Sequence, residues 1–582
     1  MKPSVAVSSG ARGDLRAGRV GLVLLLLLTF GLLGVLGRVA QLTMEPDPLI
    51  TERLTLQQRE RTLDASRGGL VDRRGRPLAI TRQGYRVFVD SLLIDDPLTF
   101  APRVAEALGL DAVAIDRLLG ERENSRYIVI DPDPPAYRIE AVRSLGMNGL
   151  ALDPYLRRIY PLGELGGQLI GFVGVDGDGL EGIERLHERS LVAKAGTYHA
   201  TVDARRRQLW VERDAFELQQ DGQTVRLTID ATIQAIAERH LLAAVEQYRA
   251  ASGQLVVMDP WSGDLLAVAH APLFDPNHYR HSTPEQRRLR VVTDVFEPGS
   301  ILKPLIWAML TDKGAATPHE IIDCETDGVY VSPKGRVLRD DKPHGSITWE
   351  QVLITSSNIG MAIVAQRVPM RDLHETVRRL GFGEATQSGF PLEAEGVVHP
   401  LRRWNHYSQT SIPMGHEISV TGLQMVRAFA TLANDGLLVR PRLVLDGSEV
   451  RSERVMSAEM ARYVRSVLDR AVSEGTGRKA QSERYRLFGK TGTAQLPNLE
   501  EGGYYQNRYV SSFIAGAPTL EPRLIVACFI HDPDRSVGHY GGTVAAPAVR
   551  AVMEESLAYL GVATRGELRA MPSPPRVARS LP

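Results

Sequence analysis

The sequence predicts an α+β protein with a membrane-spanning helix at its N-terminus, an elongated mixed module after it, and a larger domain whose sheet is built from distant segments. Three observations carry that prediction. The chain has 582 residues, well beyond the ~100 to 200 of an ordinary domain, so two or three folded units are expected. An uncharged run of 18 residues, VGLVLLLLLTFGLLGVLG from Val20 to Gly37, is about the minimum for crossing a ~30 Å hydrocarbon core. Paired apolar runs joined by turn residues stand at both ends of the second half, with helix-rich sequence between them, a pattern that closes an α+β domain from its two ends.

In chain order, Lys2, Arg12, Arg16 and Arg19 precede the apolar run with only Asp14 opposing them. The positive-inside rule therefore places residues 1–19 in the cytoplasm, and everything after a transmembrane anchor at 20–42 outside. A cleaved signal peptide would call for a shorter apolar core and an Ala-x-Ala-like site. Arg38, Val39 and Ala40 stand there instead, so a retained anchor is expected. Residues 43–223 mix strand-like runs such as YRVFV with charged helical segments and read as an elongated extracytoplasmic module. The character changes at Thr224. TVRLTI has strand character, and the helix after it places Ile233, Ile236, Ala237, Leu241, Ala244 and Val245 on one face. QLVVMD and DLLAVA are joined by Pro260, Trp261, Ser262 and Gly263, a hairpin signal. RYVSSFIAGA and PRLIVACFI flank a Pro-containing turn in the same way. The second domain is read as 224–562, and the tail 563–582, ending MPSPPRVARSLP, as disordered.

Composition excludes several classes. With 69 acidic and 69 basic residues the formal net charge is zero, which gives no support for a nucleic-acid partner. The only cysteines, Cys324 and Cys528, rule out a disulfide framework and a cysteine-based zinc cluster. They leave one bridge or two free buried thiols. No zinc, phosphate-loop or dinucleotide signature is found, so neither a metal nor another cofactor is expected.

Of the 69 basic residues, eight are lysine and 61 arginine. Against that preference, Lys303 stands three residues after Ser300 in FEPGSILKP, and Lys490 opens Lys490-Thr491-Gly492. A third short motif is Ser356-Ser357-Asn358. Each alone is weak, because a serine at a helix start is usually a cap and a lysine one turn on is usually solvated. Yet of the eight lysines only Lys303 has a serine three residues earlier, and of the asparagines only Asn358 has one two residues earlier. The chemistry explains the residue types. On a helix beginning near Ser300, positions i and i+3 share a face, which sets an amine beside a hydroxyl. A base must lose its proton: guanidinium effectively cannot, whereas a desolvated lysine near a second cation can. Lys490 would be that cation, on a strand where Gly489 and Gly492 let a substrate backbone lie close.

Taken together and in this order, FEPGSILKP, SSN and GKTGTA resemble the penicillin-binding protein and serine β-lactamase superfamily. RGGLVDRRGRPLA at 67–79, RIYPLGELGGQLIGFVG at 158–174 and GLEGIE at 179–184 are similar to the pedestal motifs of class B penicillin-binding proteins, the monofunctional peptidoglycan transpeptidases. LTIDATIQ, VVMDPWSGDLLAVA, FDPN and SVTGLQMVRAFATLANDG extend the likeness over roughly residues 15 to 560. The resemblance implies a pedestal of the dimerisation type. It also implies a transpeptidase domain with a central antiparallel sheet flanked by helices.

By position, the resemblance implies that Ser300 is the acylated nucleophile, Lys303 its general base and Ser356 a proton relay. It implies that Asn358 binds the substrate backbone, that Lys490, Thr491 and Thr493 hold the terminal carboxylate, and that Gly492 belongs to the same substrate-binding strand. The oxyanion hole would be formed by the backbone amides of Ser300 and Thr493. Implied partners are peptidoglycan stem peptides, β-lactams as covalent inhibitors, and a SEDS-family polymerase with other divisome membrane proteins. The implied location is the bacterial cytoplasmic membrane, with the catalytic domain outside it.

FEPGS is more similar to the septal division branch than to the elongation branch, which is the alternative. A membrane-tethered β-lactamase and a non-turnover β-lactam-binding scaffold or sensor are the other rivals. The first needs an efficient deacylating base, to which no residue is assigned, and does not need a long pedestal. A sensor would require further spans or a cytoplasmic signalling domain, which the 19 residues before the first span are not expected to provide, and the intact Ser, Lys, Ser, Asn and Lys set disfavours a silent scaffold. Gly68, Asp72, Arg73 and Gly75, and Gly179, Glu181, Gly182 and Glu184, are read as turns and salt bridges without chemistry. His416 and Glu417 depart from a more usual Gln and Gly, and Phe488 from a usual small residue.

Overall fold

The computed structural model describes residues 11–44, 58–202, 208–211, 216–390, 392–498 and 500–570. The predicted C-terminal disorder falls mostly on residues outside these. The chain forms two compact units, one drawn from Met1–Ala65 and Ala193–Gln220 and the other from Ser66–Val192 and Asp221–Pro582.

The first unit contains the helix Ala11–Met44 and a three-stranded sheet ordered Gln58–Leu63, Gly196–Val202, Gln208–Val211. From Arg19 to Met44 the helix is long and apolar enough to cross a membrane, and its leucines lie exposed. Among the described residues no other helix meets that test.

In the second unit, the segment Ser66–Val192 is built on the long strand Pro77–Val89, which pairs antiparallel with Leu150–Ile159 along its length. Val87, Phe100, Val104, Leu108 and Ile128 form a small separate core within it. The motifs read as structural are turns and ion pairs. Asp72 accepts from the backbone amides of Arg74, Arg76 and Ala231. Glu184, fully buried, receives Arg67 Nε at 2.8 Å and Arg158 Nε at 2.7 Å. Gly68 has no room for a side chain, since a Cβ there would lie 2.1 Å from the Gln223 carbonyl oxygen.

The larger domain is organised on a five-stranded antiparallel sheet: β1 (Ser252–Met258), β2 (Leu265–Ala271), β3 (Phe488–Pro497), β4 (Tyr504–Ala517) and β5 (Leu524–His531), in spatial order β2-β1-β5-β4-β3. Both predicted hairpins form, β1 with β2 and β4 with β5, and β5 pairs with β1 to join the two ends of the domain. The two-residue period of a strand sorts side chains onto two faces. Val256, Met258, Ala527 and Phe529 enter one core with Trp307, Trp349 and Phe429; Leu255, Val257, Val526 and Ile530 enter another beneath the helices Ala231–Gln247 and Ala546–Tyr559. Cys528 lies in the second core and Cys324 in the first; both are buried free thiols, so the bridge is excluded. TVRLTI, read as a strand, forms only the two-residue strand Val225–Arg226 plus a bridge from Leu227 to Val444. Thr228 ends the ladder there by turning its hydroxyl onto the Leu265 and Arg442 carbonyls.

Candidate active site

Ser300 lies on a 3-10 turn, Gly299–Ile301, that leads into the helix Lys303–Asp312, named α1. The helix proper thus starts three residues later than the Ser-x-x-Lys spacing predicts. The turn is pressed against β3: a Cβ at Gly492 would lie 3.0 Å from Ile301 Cγ2 and 3.3 Å from the Pro298 carbonyl oxygen. The space at Gly492 is therefore filled by the Ser300 turn. That at Gly489 is filled by Phe513, Ile514 and Ala515 of the neighbouring strand.

Ser356 sits between two helices, α2 (Trp349–Thr355) and α3 (Asn358–Ala365). It closes α2 in the left-handed region at φ +67°, a conformation that costs a non-glycine residue ~1–3 kcal/mol. Ser357 then caps α3 by accepting from Gly360 N. Asp340, which no motif pointed to, fixes this junction: its carboxylate accepts from the backbone amides of Asn358 and Ile359 and from Ser357 Oγ at 2.6 Å. Acceptors at the first turn satisfy amides that a helix leaves open. The only sequence signal was an Asp-Asp pair just before KPHG.

These elements bring the predicted residues together. Lys303, fully buried, donates to Asn358 Oδ1 at 2.7 Å, to the Ser356 carbonyl at 2.6 Å and to Ser356 Oγ at 3.3 Å. Lys490, 1 % exposed, donates to the same hydroxyl at 2.8 Å and to its neighbour Thr491 O at 3.1 Å. Two buried amines thus converge on Ser356 Oγ. Lys303 directs its hydrogen bonds to Ser356 and Asn358 and not to Ser300, which satisfies a buried amine that would otherwise be costly to desolvate. Burial pushes the Lys303 amine down to about 7, opposed by the negative charge of Asp340. Burial also holds Lys490 well below the ordinary lysine value, and the nearby charge of Lys303 adds to this.

β3 is an edge strand, so its outer backbone groups can accept an extended chain. Thr491 Oγ1 is tied to Thr476 Oγ1 at 2.7 Å, and Thr493 Oγ1 accepts from Gly541 N at 3.0 Å. The arrangement offers a hydroxyl on a tight turn, two amines of lowered basicity sharing a second hydroxyl, and a strand edge beside them. That is the equipment for covalent catalysis on an extended peptide. Phe488 does not face this cleft: it is fully buried, stacked on Phe429, with Gly516 directly opposite making room for its ring. His416 and Glu417 contact Glu297 of FEPGS, three residues before Ser300.

Residues 253–554 match the family described as penicillin binding protein transpeptidase domain, and residues 62–227 the penicillin-binding protein dimerisation domain. The chain is 30 % identical to the probable peptidoglycan D,D-transpeptidase PbpC of Pseudomonas aeruginosa, over 91 % of this chain and 93 % of that protein. It is also 30 % identical to the peptidoglycan D,D-transpeptidase FtsI of Escherichia coli, over 89 % and 88 %. Among solved structures, penicillin binding protein 3 from Mycobacterium tuberculosis complexed with aztreonam matches with a TM-score of 0.65 at 25 % identity, over 87 % of this chain and 99 % of that one.

Proposed function

The chain belongs to the class B penicillin-binding proteins, the peptidoglycan D,D-transpeptidases, and from that membership we propose that it cross-links stem peptides through an acyl-enzyme on Ser300. The observation that supports this reading is the convergence of two buried lysine amines on Ser356 Oγ, beside the turn that carries Ser300. Ser300 Oγ attacks the penultimate D-Ala carbonyl and gives its proton to the neutral Lys303 amine. The Ser300 and Thr493 amides hold the oxyanion, a contribution worth ~3 kcal/mol per donor. D-Ala leaves as its nitrogen takes a proton passed through Ser356. An amine of a neighbouring stem then attacks the ester carbonyl, forms the new amide and returns the proton to Ser300. Asn358 binds the backbone of the donor peptide, and Lys490, Thr491 and Thr493 its carboxylate, with Gly492 letting the Ser300 turn lie against the strand. The Lys303 to Ser300 contact forms as substrate binds, since catalytic hydrogen bonds commonly tighten only in the complex.

In this reading residues 1–19 are cytoplasmic, 20–42 span the cytoplasmic membrane, and 43–223 form a pedestal for the transpeptidase domain 224–562. FEPGS supports septal placement, where a SEDS-family polymerase and other divisome proteins would meet the anchor and pedestal. β-Lactams would act as covalent inhibitors at Ser300.

The test is covalent labelling. Full-length protein in detergent, incubated with a penicillin, should gain one drug mass on the peptide containing Ser300, and Ser300→Ala should gain none. Rapid loss of the adduct with hydrolysis of the drug would make the protein a tethered β-lactamase instead. Imaging a tagged copy in dividing cells tests the septal assignment, which lateral placement would overturn.

A further inference from the structure

Glu297 stands three residues before Ser300, takes no part in the chemistry above, and is only 7 % exposed. Its carboxylate gathers donors from two other segments. His416 Nδ1 lies 2.6 Å from Oε2, Glu417 N donates to Oε1 at 2.9 Å, and Tyr504 OH lies 3.0 and 2.9 Å from the two oxygens. Tyr504 comes from the start of β4, and His416 and Glu417 from the loop that follows the turn Ile412–Met414.

That loop touches the Ser300 turn directly. Gly299 N donates to Gly415 O at 3.0 Å, and a Cβ at Gly415 would lie 2.1 Å from Gly299 O. Gly415 turns the loop at φ +86°, which glycine adopts freely, whereas Glu417 at φ +63° is a non-glycine residue in the left-handed region and persists there only because its surroundings hold it. Glu297 holds the loop from the side of the Ser300 turn, while Ser408 Oγ donates to the Glu417 carboxylate at 2.7 Å and His416 N to Ser411 O at 3.2 Å on the other side. Gly299, itself at φ +55°, supplies the peptide unit that carries the Ser300 N–H.

We propose that Glu297 is a positioning residue: by holding His416, Glu417 and Tyr504 it seats Gly415 against Gly299 and aims the Ser300 amide at the developing oxyanion. The proposal rests on the reading of Ser300 given above. Glu297 does not touch the reacting atoms. Its effect therefore falls on the rate of the chemical step more than on encounter with the ligand.

The experiment follows acylation of full-length protein in detergent by a fluorescent penicillin in stopped flow, separating the saturating rate from the half-saturating concentration. Glu297→Ala should lower the saturating rate roughly ten- to a hundredfold, below the ~10²–10³-fold of deleting an oxyanion donor outright. The half-saturating concentration should change little. Glu297→Gln, whose amide oxygen still accepts from Glu417 N and Tyr504, should restore most of the rate. If Glu297→Ala does not fold, the double variant His416→Ala, Tyr504→Phe replaces it and should show the same loss of rate. A folded variant that acylates at the wild-type saturating rate, or loses only binding, overturns the proposal. Wild-type protein that takes no label at Ser300 overturns the underlying reading instead.

Discussion

The amine of Lys303 donates to Asn358 Oδ1 at 2.7 Å, linking the first residue of one helix to the first residue of another. A buried amine with oxygen acceptors and no carboxylate in contact can exist as a neutral base, which a guanidinium cannot. Lys303→Arg keeps the charge and loses the base, so it should acylate as slowly as Lys303→Ala, about 10²- to 10⁴-fold below wild type. The second-order rate with a fluorescent penicillin measures this, alongside a melting curve for folding. Wild-type rates in folded Lys303→Arg would leave Lys303 only a charge.

The pH dependence follows from the same amine. Its pKa falls from 10.5 to about 7 on folding, so the acylation rate should rise with pH through about 7 and level off above. The limb belongs to the Lys303 and Lys490 pair, since interacting sites titrate together. The sign for stability is separate. The unfolded lysine takes up its proton near 10.5 and the native one only near 7, so this group removes stability progressively as pH falls between those values. A pH–rate profile and melting temperatures at pH 7 and pH 10 test both halves.

Asp340 raises the Lys303 pKa by its charge while its oxygens cap the helix of Asn358. Asp340→Asn should therefore shift the limb of the rate profile to lower pH. It should also cost about 1 kcal/mol of stability through the weaker cap. An unmoved limb would show that the Asp340 charge does not reach the amine.

Glu184 is fully buried between Arg67 and Arg158, whose side chains are 9 % and 4 % exposed. Removing one partner strands buried charge, so Glu184→Ala should destabilise by ~3–5 kcal/mol. Glu188→Ala, at a site 31 % exposed, should cost ~1 kcal/mol or less. Chemical denaturation of the two variants measures the contrast.

A periplasmic reporter fused after Leu42 should be active only outside the cytoplasm. A soluble mature protein beginning near residue 40 would show cleavage in place of a retained anchor.

The sequence by itself settled whatever depends on local order. The apolar run of the first helix, the two hairpins and the helix face of Ile233, Ile236, Ala237 and Leu241 were legible because helix and strand periods are written in consecutive residues. The motifs that hold Ser300, Lys303, Ser356, Asn358 and Lys490 also stood out, because lysines are few around them; their roles are proposals. Only tertiary structure decided which of these touch. It placed Lys490 within 2.8 Å of Ser356 across 134 residues of chain, gave the Lys303 hydrogen bonds to Asn358 and Ser356 in place of Ser300, and filled the space at Gly492 with the Ser300 turn. Asp340, Glu297 and Tyr504 were not assigned from sequence because a carboxylate or phenol has no local pattern that marks its partner. Their roles come from burial, where a polar group must find donors or acceptors wherever the fold brings them.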